Sequence, residues 1–211
     1  MSISDLMSGL MLVFLFIAIG FMIKVESEKD KMKDVASSYI DNKANLNEVL
    51  YDEFEEDLKK WDANITKDNR VIFNSPKVLF KVNKSDINHE FKRVLDDFFP
   101  RYIKVLTLQQ YKDEIHEVRV EGHTSDKWAN TTSKKEIYLN NMRLSQNRAY
   151  EVLSYCYGLD NDVVKQNRAW LEEYFRANGM AFAKLKNQET ARRVEFTIQM
   201  RSEDKVYEIL K

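Results

Sequence analysis

The hydrophobic pattern of the chain begins with an apolar stretch, residues 6–23, that contains no charged side chain. At a rise of about 1.5 Å per residue, these roughly 18 residues form a helix about 27 Å long, close to the hydrocarbon thickness of a bilayer. The sequence therefore predicts a single N-terminal transmembrane helix, which we place at residues 1–24.

One carboxylate, Asp5, lies in the first turn of this helix. A carboxylate at the centre of a membrane helix costs about 2.5–3.5 kcal/mol and less near the interface, so we expect it to face protein or water. Helical spacing places Asp5 on one stripe with Gly9 and Gly20, and these small residues would let another helix approach closely.

Three interpretations of the segment remain open at this point. It is a plain anchor with Asp5 among the lipid headgroups, a cleaved signal peptide, or a helix whose carboxylate carries ions inside an assembly of helices. The signal peptide is the weakest of these, because no Lys or Arg precedes the apolar core and the core continues past the small-residue site at Ala18 and Gly20.

The next part of the chain is polar and then amphipathic. Residues 25–45 carry mixed charges with few apolar positions, which indicates an exposed helix or stalk. Beyond them, apolar residues recur at spacings of three and four and predict a helix with one buried face. These positions are Leu46, Val49, Leu50, Phe54, Leu58 and Trp61. We assign residues 25–69 to a linker and this amphipathic helix.

The remainder alternates between strand and helix periodicities. Apolar runs and strict apolar–polar alternation predict strands at 71–73, 78–82, 115–121 and 193–200. Helical spacing predicts helices at 87–99, interrupted by Pro100, at 137–157 and at 163–177, with a polar loop over 126–136. This order predicts an α+β domain in which a mixed β-sheet packs on helices.

Composition narrows the functional classes. The chain has 211 residues, 33 basic and 34 acidic, with a formal net charge of −1, so nothing points to a nucleic-acid partner. A single cysteine, Cys156, excludes an intrachain disulfide, and there is no Cys/His spacing typical of a metal site. We expect no cofactor and no metal. Since His123 has no Ser, Cys or second carboxylate at a recognisable spacing, we do not expect an enzyme.

Three separated blocks, in this order, carry a resemblance to a known domain. They are Val120-Glu121-Gly122-His123-Thr124-Ser125, then Asn141-x-x-Leu144-Ser145-x-x-Arg148-Ala149, then Arg192-Arg193-Val194-Glu195-Phe196. Together they resemble the OmpA-like peptidoglycan-binding domain, which would cover residues 70–201 and leave residues 202–211 as a C-terminal tail.

Joined to an N-terminal helix with an early aspartate, such a domain resembles the MotB-like B subunits of flagellar-type stators. Within these, the chain is most similar to the branch found in Zorya anti-phage defence. The residues that favour this branch are the stretch from Trp61 through Phe99-Pro100-Arg101-Tyr102-Ile103, the run Glu121-Gly122-His123-Thr124-Ser125, and the run Ala177-Asn178-Gly179.

The second block places an amide, a hydroxyl and a guanidinium on one helical face, because Asn141, Ser145 and Arg148 are spaced i, i+4 and i+7. An arginine fork matches a carboxylate in two parallel hydrogen bonds. The resemblance implies that Arg148 holds the carboxylate of the diamino acid in the peptidoglycan stem. The implied peptidoglycan-binding residues are Gly122, His123, Thr124, Ser125, Asn141, Leu144, Arg148 and Arg192.

Several of these assignments have alternatives. Ser125 stands where the family has a ligand-binding aspartate, so either Ser125 replaces it or the neighbouring Asp126 does. Leu144 is either a contact or a core residue, and Arg192 or Arg193 either contacts the ligand or pairs with a nearby Glu. Ala191 replaces the Asn that the family usually has before its last arginine.

The resemblance also implies partners and a place in the cell. Asp5 would conduct ions within a ring of polytopic MotA-like or ZorA-like subunits, and the chain would form a homodimer. The protein would cross the bacterial inner membrane once, with a cytoplasmic N-terminus and a periplasmic domain bound to peptidoglycan. The lysines that follow the helix weakly favour the opposite orientation. A flagellar MotB-type subunit and a tether without transport are the alternatives.

Overall fold

The structure is a computed structural model that describes residues 3–74, 79–80, 84–183 and 191–201. The described chain is divided into two compact units, which meet in the sequence between Asp41 and Asn42. The first consists of the N-terminal part of a long helix, and the second is a mixed α+β domain, as predicted.

Helix α1 spans Ile3–Leu58, a length of 56 residues. Its large apolar side chains from Met7 to Ile23 are between 44% and 75% exposed, and this is a helix long and apolar enough to cross a membrane. Such an apolar helix without protein cover is expected of a segment whose solvent is lipid. The predicted apolar N-terminal helix is confirmed, and it continues as a helix through the predicted stalk.

The second unit is built on a five-stranded sheet with the order β1-β2-β5-β3-β4. Its strands are β1 (Ala63–Ile65), β2 (Val71–Phe73), β3 (Ile115–Gly122), β4 (Phe175–Gly179) and β5 (Val194–Met200). The pairs are antiparallel except for β3 with β4, which is parallel. The sheet is therefore mixed, and its two central strands, β5 and β3, pair from Ile115 with Met200 to Gly122 with Val194.

Five further helices accompany the sheet among the described residues. They are α2 (His89–Leu106), α3 (Gln109–Lys112), α4 (Lys134–Tyr157), α5 (Asp162–Gln166) and α6 (Arg168–Tyr174). Ser133 caps α4 by accepting a hydrogen bond from the Glu136 amide, and Asn161 caps α5 in the same way through the Val163 amide. Both are side chains whose oxygen satisfies a free N–H in the first turn.

Aromatic rings form the centre of the core. The Phe98 ring of α2 lies 5.1 Å, between centroids, from each of Phe54, Phe73 and Phe196, which belong to α1, β2 and β5. All four side chains are fully buried. Tilted and edge-to-face pairs of this kind add about 0.5–1.5 kcal/mol each beyond their buried area. The amphipathic end of α1 is thus part of the domain core, as its spacing predicted.

The prediction that Pro100 interrupts a helix is wrong, because α2 continues from His89 through Pro100 to Leu106. A proline inside a helix costs about 3 kcal/mol. Here Phe98, Phe99 and Tyr102 are fully buried on either side of it. Burying such large rings recovers more than that cost.

The helix predicted at 163–177 is broken at Asn167 and is wrong for its last three residues, because the helical structure ends at Tyr174. The chain forms the short helices α5 and α6 and then turns into β4, which lies parallel to β3 over Val118–Gly122. Neither β4 nor β1 was predicted. Most of the strand predicted at 78–82 lies outside the described residues, while Phe80 forms an isolated antiparallel bridge with Ile87.

Candidate functional site

The candidate site lies where β3 ends and α4 packs against the sheet. Gly122 is the last residue of β3, and a Cβ atom there would overlap the Ser145 carbonyl oxygen of α4. Gly179, its partner on β4, is also too close to the helix to carry a side chain, since a Cβ atom would lie 2.6 Å from the Gln146 nitrogen. Two glycines paired across adjacent strands therefore allow the helix to approach the sheet backbone directly.

The turn after β3 is fixed by backbone hydrogen bonds to two other segments. The His123 amide donates to the Arg193 carbonyl over 3.0 Å, and the Thr124 amide donates to the Ala181 carbonyl over 2.7 Å. His123 and Thr124 are buried, Ser125 is half-buried and Asp126 is exposed. The first and third sequence blocks are thus brought together.

The polar face predicted on α4 is present. Asn141, Ser145 and Arg148 are all buried. The Asn141 amide donates to the Ile137 carbonyl over 2.9 Å and to the Lys127 carbonyl over 3.4 Å. The Ser145 hydroxyl donates to the Met142 carbonyl and accepts from the Ala181 amide, each over 2.9 Å. Asn141 and Ser145 therefore hold the flanking loops on the helix.

Arg148 is 5% exposed and has an unusual environment. Its Nε donates to the Lys84 carbonyl over 3.1 Å, and its guanidinium lies over the Phe80 ring, 4.8 Å from the centroid. Burial, followed by the positive charge of Arg192, lowers the pKa of Arg148 to about 10. No carboxylate among the described residues forms an ion pair with it. Within the described part of the chain, the site thus contains a buried cation without a counter-charge.

A second charged cluster lies beneath the turn. The His123 Nε2 is 3.4 Å from Glu195 Oε1 and 3.8 Å from Glu121 Oε2, and the three side chains are buried. Their donor atoms lie within 4.8 Å of one another, a spacing at which a cation could be held.

Arginines already neutralise these two carboxylates. Arg193 Nε lies 2.5 Å from Glu195, Arg70 lies 3.4 Å from it, and Arg119 lies 3.6 Å from Glu121. Burial opposes ionisation of Glu121, yet His123 and Arg119 hold the pKa of this carboxyl below its usual value. Three positive groups facing two negative ones leave little electrostatic attraction for a metal ion, so we interpret the cluster as an ion-pair network that supports the turn.

The other residues that the sequence predicted for a functional role lie outside the buried polar face of α4. Leu144 is half-buried on α4, Arg192 is exposed, and Arg193 is the arginine that pairs with Glu195. The backbone of Asp5 is helical, while its side chain lies outside the described part of the chain. Sequence reasoning missed Phe80 and Lys84, which contact Arg148. A backbone carbonyl leaves no signal in residue identity, and Phe80 is indistinguishable from a core residue in the sequence.

Comparison with known proteins places the chain in a family, although no family model matches the sequence. The chain is 45% identical over 183 residues to the Zorya protein ZorB of Escherichia coli, covering 86% of this chain and 76% of that protein.

Among solved structures, the chain is similar to the cell wall anchor of the T6SS from Pseudomonas aeruginosa. The sequence identity is 21% and the TM-score is 0.46, and the match covers 72% of this chain and 97% of that chain. It is also similar to a periplasmic domain of Helicobacter pylori MotB, with 20% identity, a TM-score of 0.42, and coverage of 70% and 95%. The sequence similarity to ZorB confirms the branch that the motifs predicted: the chain belongs to the family of the Zorya protein ZorB.

Proposed function

We propose that this protein anchors a stator-like membrane complex to peptidoglycan and that Arg148 holds a carboxylate of the cell wall. One observation carries the first part of the proposal: a buried guanidinium without an acidic partner among the described residues. Removing a charge from water is costly unless it is paired. A ligand carboxylate supplies the missing charge.

The arrangement around Arg148 is suited to a ligand with one free carboxylate. The Phe80 ring contacts the guanidinium and the Lys84 carbonyl accepts from its Nε. Among the described residues no hydrogen bond engages the two terminal nitrogens, which can form a bidentate pair with a carboxylate. The exposed Arg192 adds positive potential near Arg148. The amine of a stem diamino acid would then be bound by Ser125 or Asp126, which follow the fixed turn in the chain.

Co-sedimentation with purified sacculi tests this assignment. Arg148→Ala should release the full chain, solubilised in detergent, from sacculi, and Arg148→Lys should bind weakly because a lysine cannot make the bidentate pair. Arg143→Ala is the matched control, since Arg143 is an exposed arginine of the same helix. Undiminished pelleting of Arg148→Ala would contradict the carboxylate clamp, by which we mean the proposed binding of a cell-wall carboxylate by Arg148.

The second part of the proposal concerns α1. Asp5 is the ion-carrying group, protonated from one side of the inner membrane and deprotonated toward the other, inside a ring of polytopic subunits that surrounds two copies of this chain. The N-terminus is cytoplasmic and the wall-binding domain periplasmic. Each elementary charge that crosses releases about 2.3 kcal/mol per 100 mV, which is available for movement of the ring around the anchored chains.

Asp5→Asn tests conduction, because an amide of equal size cannot bind and release protons. The variant should assemble with the polytopic subunit but abolish ion flux and phage defence, while Asp30→Asn, in the exposed helix beyond the apolar segment, should leave both unchanged. Full activity of Asp5→Asn would favour the alternative function, a tether between inner membrane and cell wall that transports nothing.

A further inference from the structure

One member of a partly exposed aromatic pair, Tyr138, lies on the same helix as Arg148, the residue proposed to bind the cell-wall carboxylate. Tyr138, in the second turn of α4, is 47% exposed, and its ring meets that of Phe182 edge to face, with centroids 5.9 Å apart and an interplanar angle of 81°. Phe182 is half-buried. The Tyr138 ring therefore presents an aromatic surface to solvent, and Phe182 supports it from the side.

Both aromatic residues are structurally connected to the carboxylate clamp, Tyr138 through helix α4 and Phe182 through the loop that contains Ala181. Tyr138 precedes Asn141 by one helical turn and belongs to the same helical stripe as Ser145 and Arg148. Phe182 directly follows Ala181, whose carbonyl accepts from Thr124 and whose amide donates to Ser145. The same loop therefore fixes the aromatic pair, the turn after β3 and the clamp helix.

The separation of the two sites matches the dimensions of the ligand. Tyr138 and Arg148 are ten residues apart on α4, a distance of about 15 Å at about 1.5 Å per residue. In peptidoglycan the diamino acid is the third stem residue, so an extended stem places its carboxylate about 10 Å from the first residue. The lactyl linkage and the sugar ring add the remaining distance.

We propose that Tyr138 and Phe182 form a sugar-binding platform that takes an amino sugar of the glycan strand while Arg148 holds the stem carboxylate. An exposed aromatic ring offers an apolar face to the C–H groups of a pyranose, and the tyrosine hydroxyl can bond a sugar hydroxyl or amide. This inference rests on the proposed wall-binding function and adds the glycan to the ligand.

Two defined ligands separate this inference from the clamp. Calorimetric titration of the full chain in detergent would compare a free stem tripeptide that ends in the diamino acid with the same tripeptide attached to its disaccharide. The disaccharide ligand should bind about fivefold more tightly to the unaltered protein, the gain expected of one good aromatic contact. Tyr138→Leu should lose this gain and bind both ligands equally, with affinity for the free tripeptide unchanged.

The controls distinguish the possible failures. Tyr150→Leu, which changes a tyrosine 59% exposed on the same helix, should keep the difference between the ligands. Arg148→Ala should lose both ligands. An unchanged preference for the disaccharide ligand in Tyr138→Leu, or an equal loss for both ligands, would overturn the platform. Absence of tripeptide binding by the unaltered protein would instead refute the wall-binding function and the platform with it.

Discussion

The Arg148 guanidinium lies over the Phe80 ring, 4.8 Å from its centroid, and no carboxylate among the described residues forms an ion pair with it. The ring holds the charged group in place without neutralising it. An arginine oriented in this way reaches a ligand carboxylate with little loss of side-chain entropy. The contact with Phe80 explains how the buried charge of Arg148 can serve ligand binding rather than the stability of the domain.

Phe80→Leu should weaken binding to sacculi by about threefold to tenfold, because the cation–π contact that orients Arg148 is lost. The Phe80 ring also meets Phe91 at 6.2 Å, so the stability of the variant must be measured alongside its binding. A Phe80→Leu protein that keeps its melting temperature and full affinity would show that the ring has no positioning role.

Gly122→Ala should destabilise the domain by about 1–3 kcal/mol, because the added methyl group would overlap the backbone of α4 at Ser145. The change is measured by thermal or denaturant unfolding. Gly158→Ala is the control, since its Cβ atom would lie 3.1 Å from the Ser154 carbonyl at the C-terminal end of the helix, and a smaller loss is expected for this looser contact. Equal losses in the two variants would contradict the close approach of helix and sheet.

Arg101 should contribute to stability by joining α1 to α2. It lies 2.7 Å from Glu53 and 2.9 Å from Asp57, and although burial opposes its charge, these hydrogen bonds raise its pKa. Arg101→Met should cost about 1 kcal/mol, because it removes the ion pairs with exposed Glu53 and with Asp57, although Asp57 keeps its ion pair with Lys60. Lys104→Met, on the same helix, should change the free energy of unfolding by much less, and a similar loss in both would rule out a specific role for Arg101.

The ion-pair network under the turn should make stability depend on pH. The pKa of Glu121 in the folded protein lies below its usual value of 4.5, so its contribution is fully present above pH 4.5 and is lost as pH falls through the lower folded value. Glu121→Gln should therefore lower the melting temperature at pH 7, and the difference from the unaltered protein should shrink on acidification below pH 4.5. A difference that stays constant would contradict the ionised network.

The spacing of apolar and polar residues predicted those helices and strands of the fold that bury one face. The apolar run of α1, the alternation of β3 and the spacing of Asn141, Ser145 and Arg148 each led to the observed element. Strand β4 was missed because Phe175–Gly179 has no clear alternation and becomes a strand through pairing with β3. Its conformation is set by tertiary contact, which a local pattern does not contain.

For the candidate site, the sequence predicted the motif residues but not the contacts that support them. Motif residues were found because their chemistry is visible in the sequence, whereas the supporting contacts come from distant backbone groups. The Lys84 carbonyl orients Arg148 across 64 residues, and the Ala181 amide holds Ser145 across 36. Only the folded chain brings these groups together.

The central claim is that Arg148 recognises a free carboxylate in the cell wall. The most direct test is calorimetric titration of the full chain with two stem tripeptides that differ only in whether the terminal diamino acid carries a free or an amidated carboxylate. We predict that the free form binds, that amidation removes most of the affinity, and that Arg148→Ala abolishes the difference. Equal binding of the two forms by the unaltered protein would contradict the account.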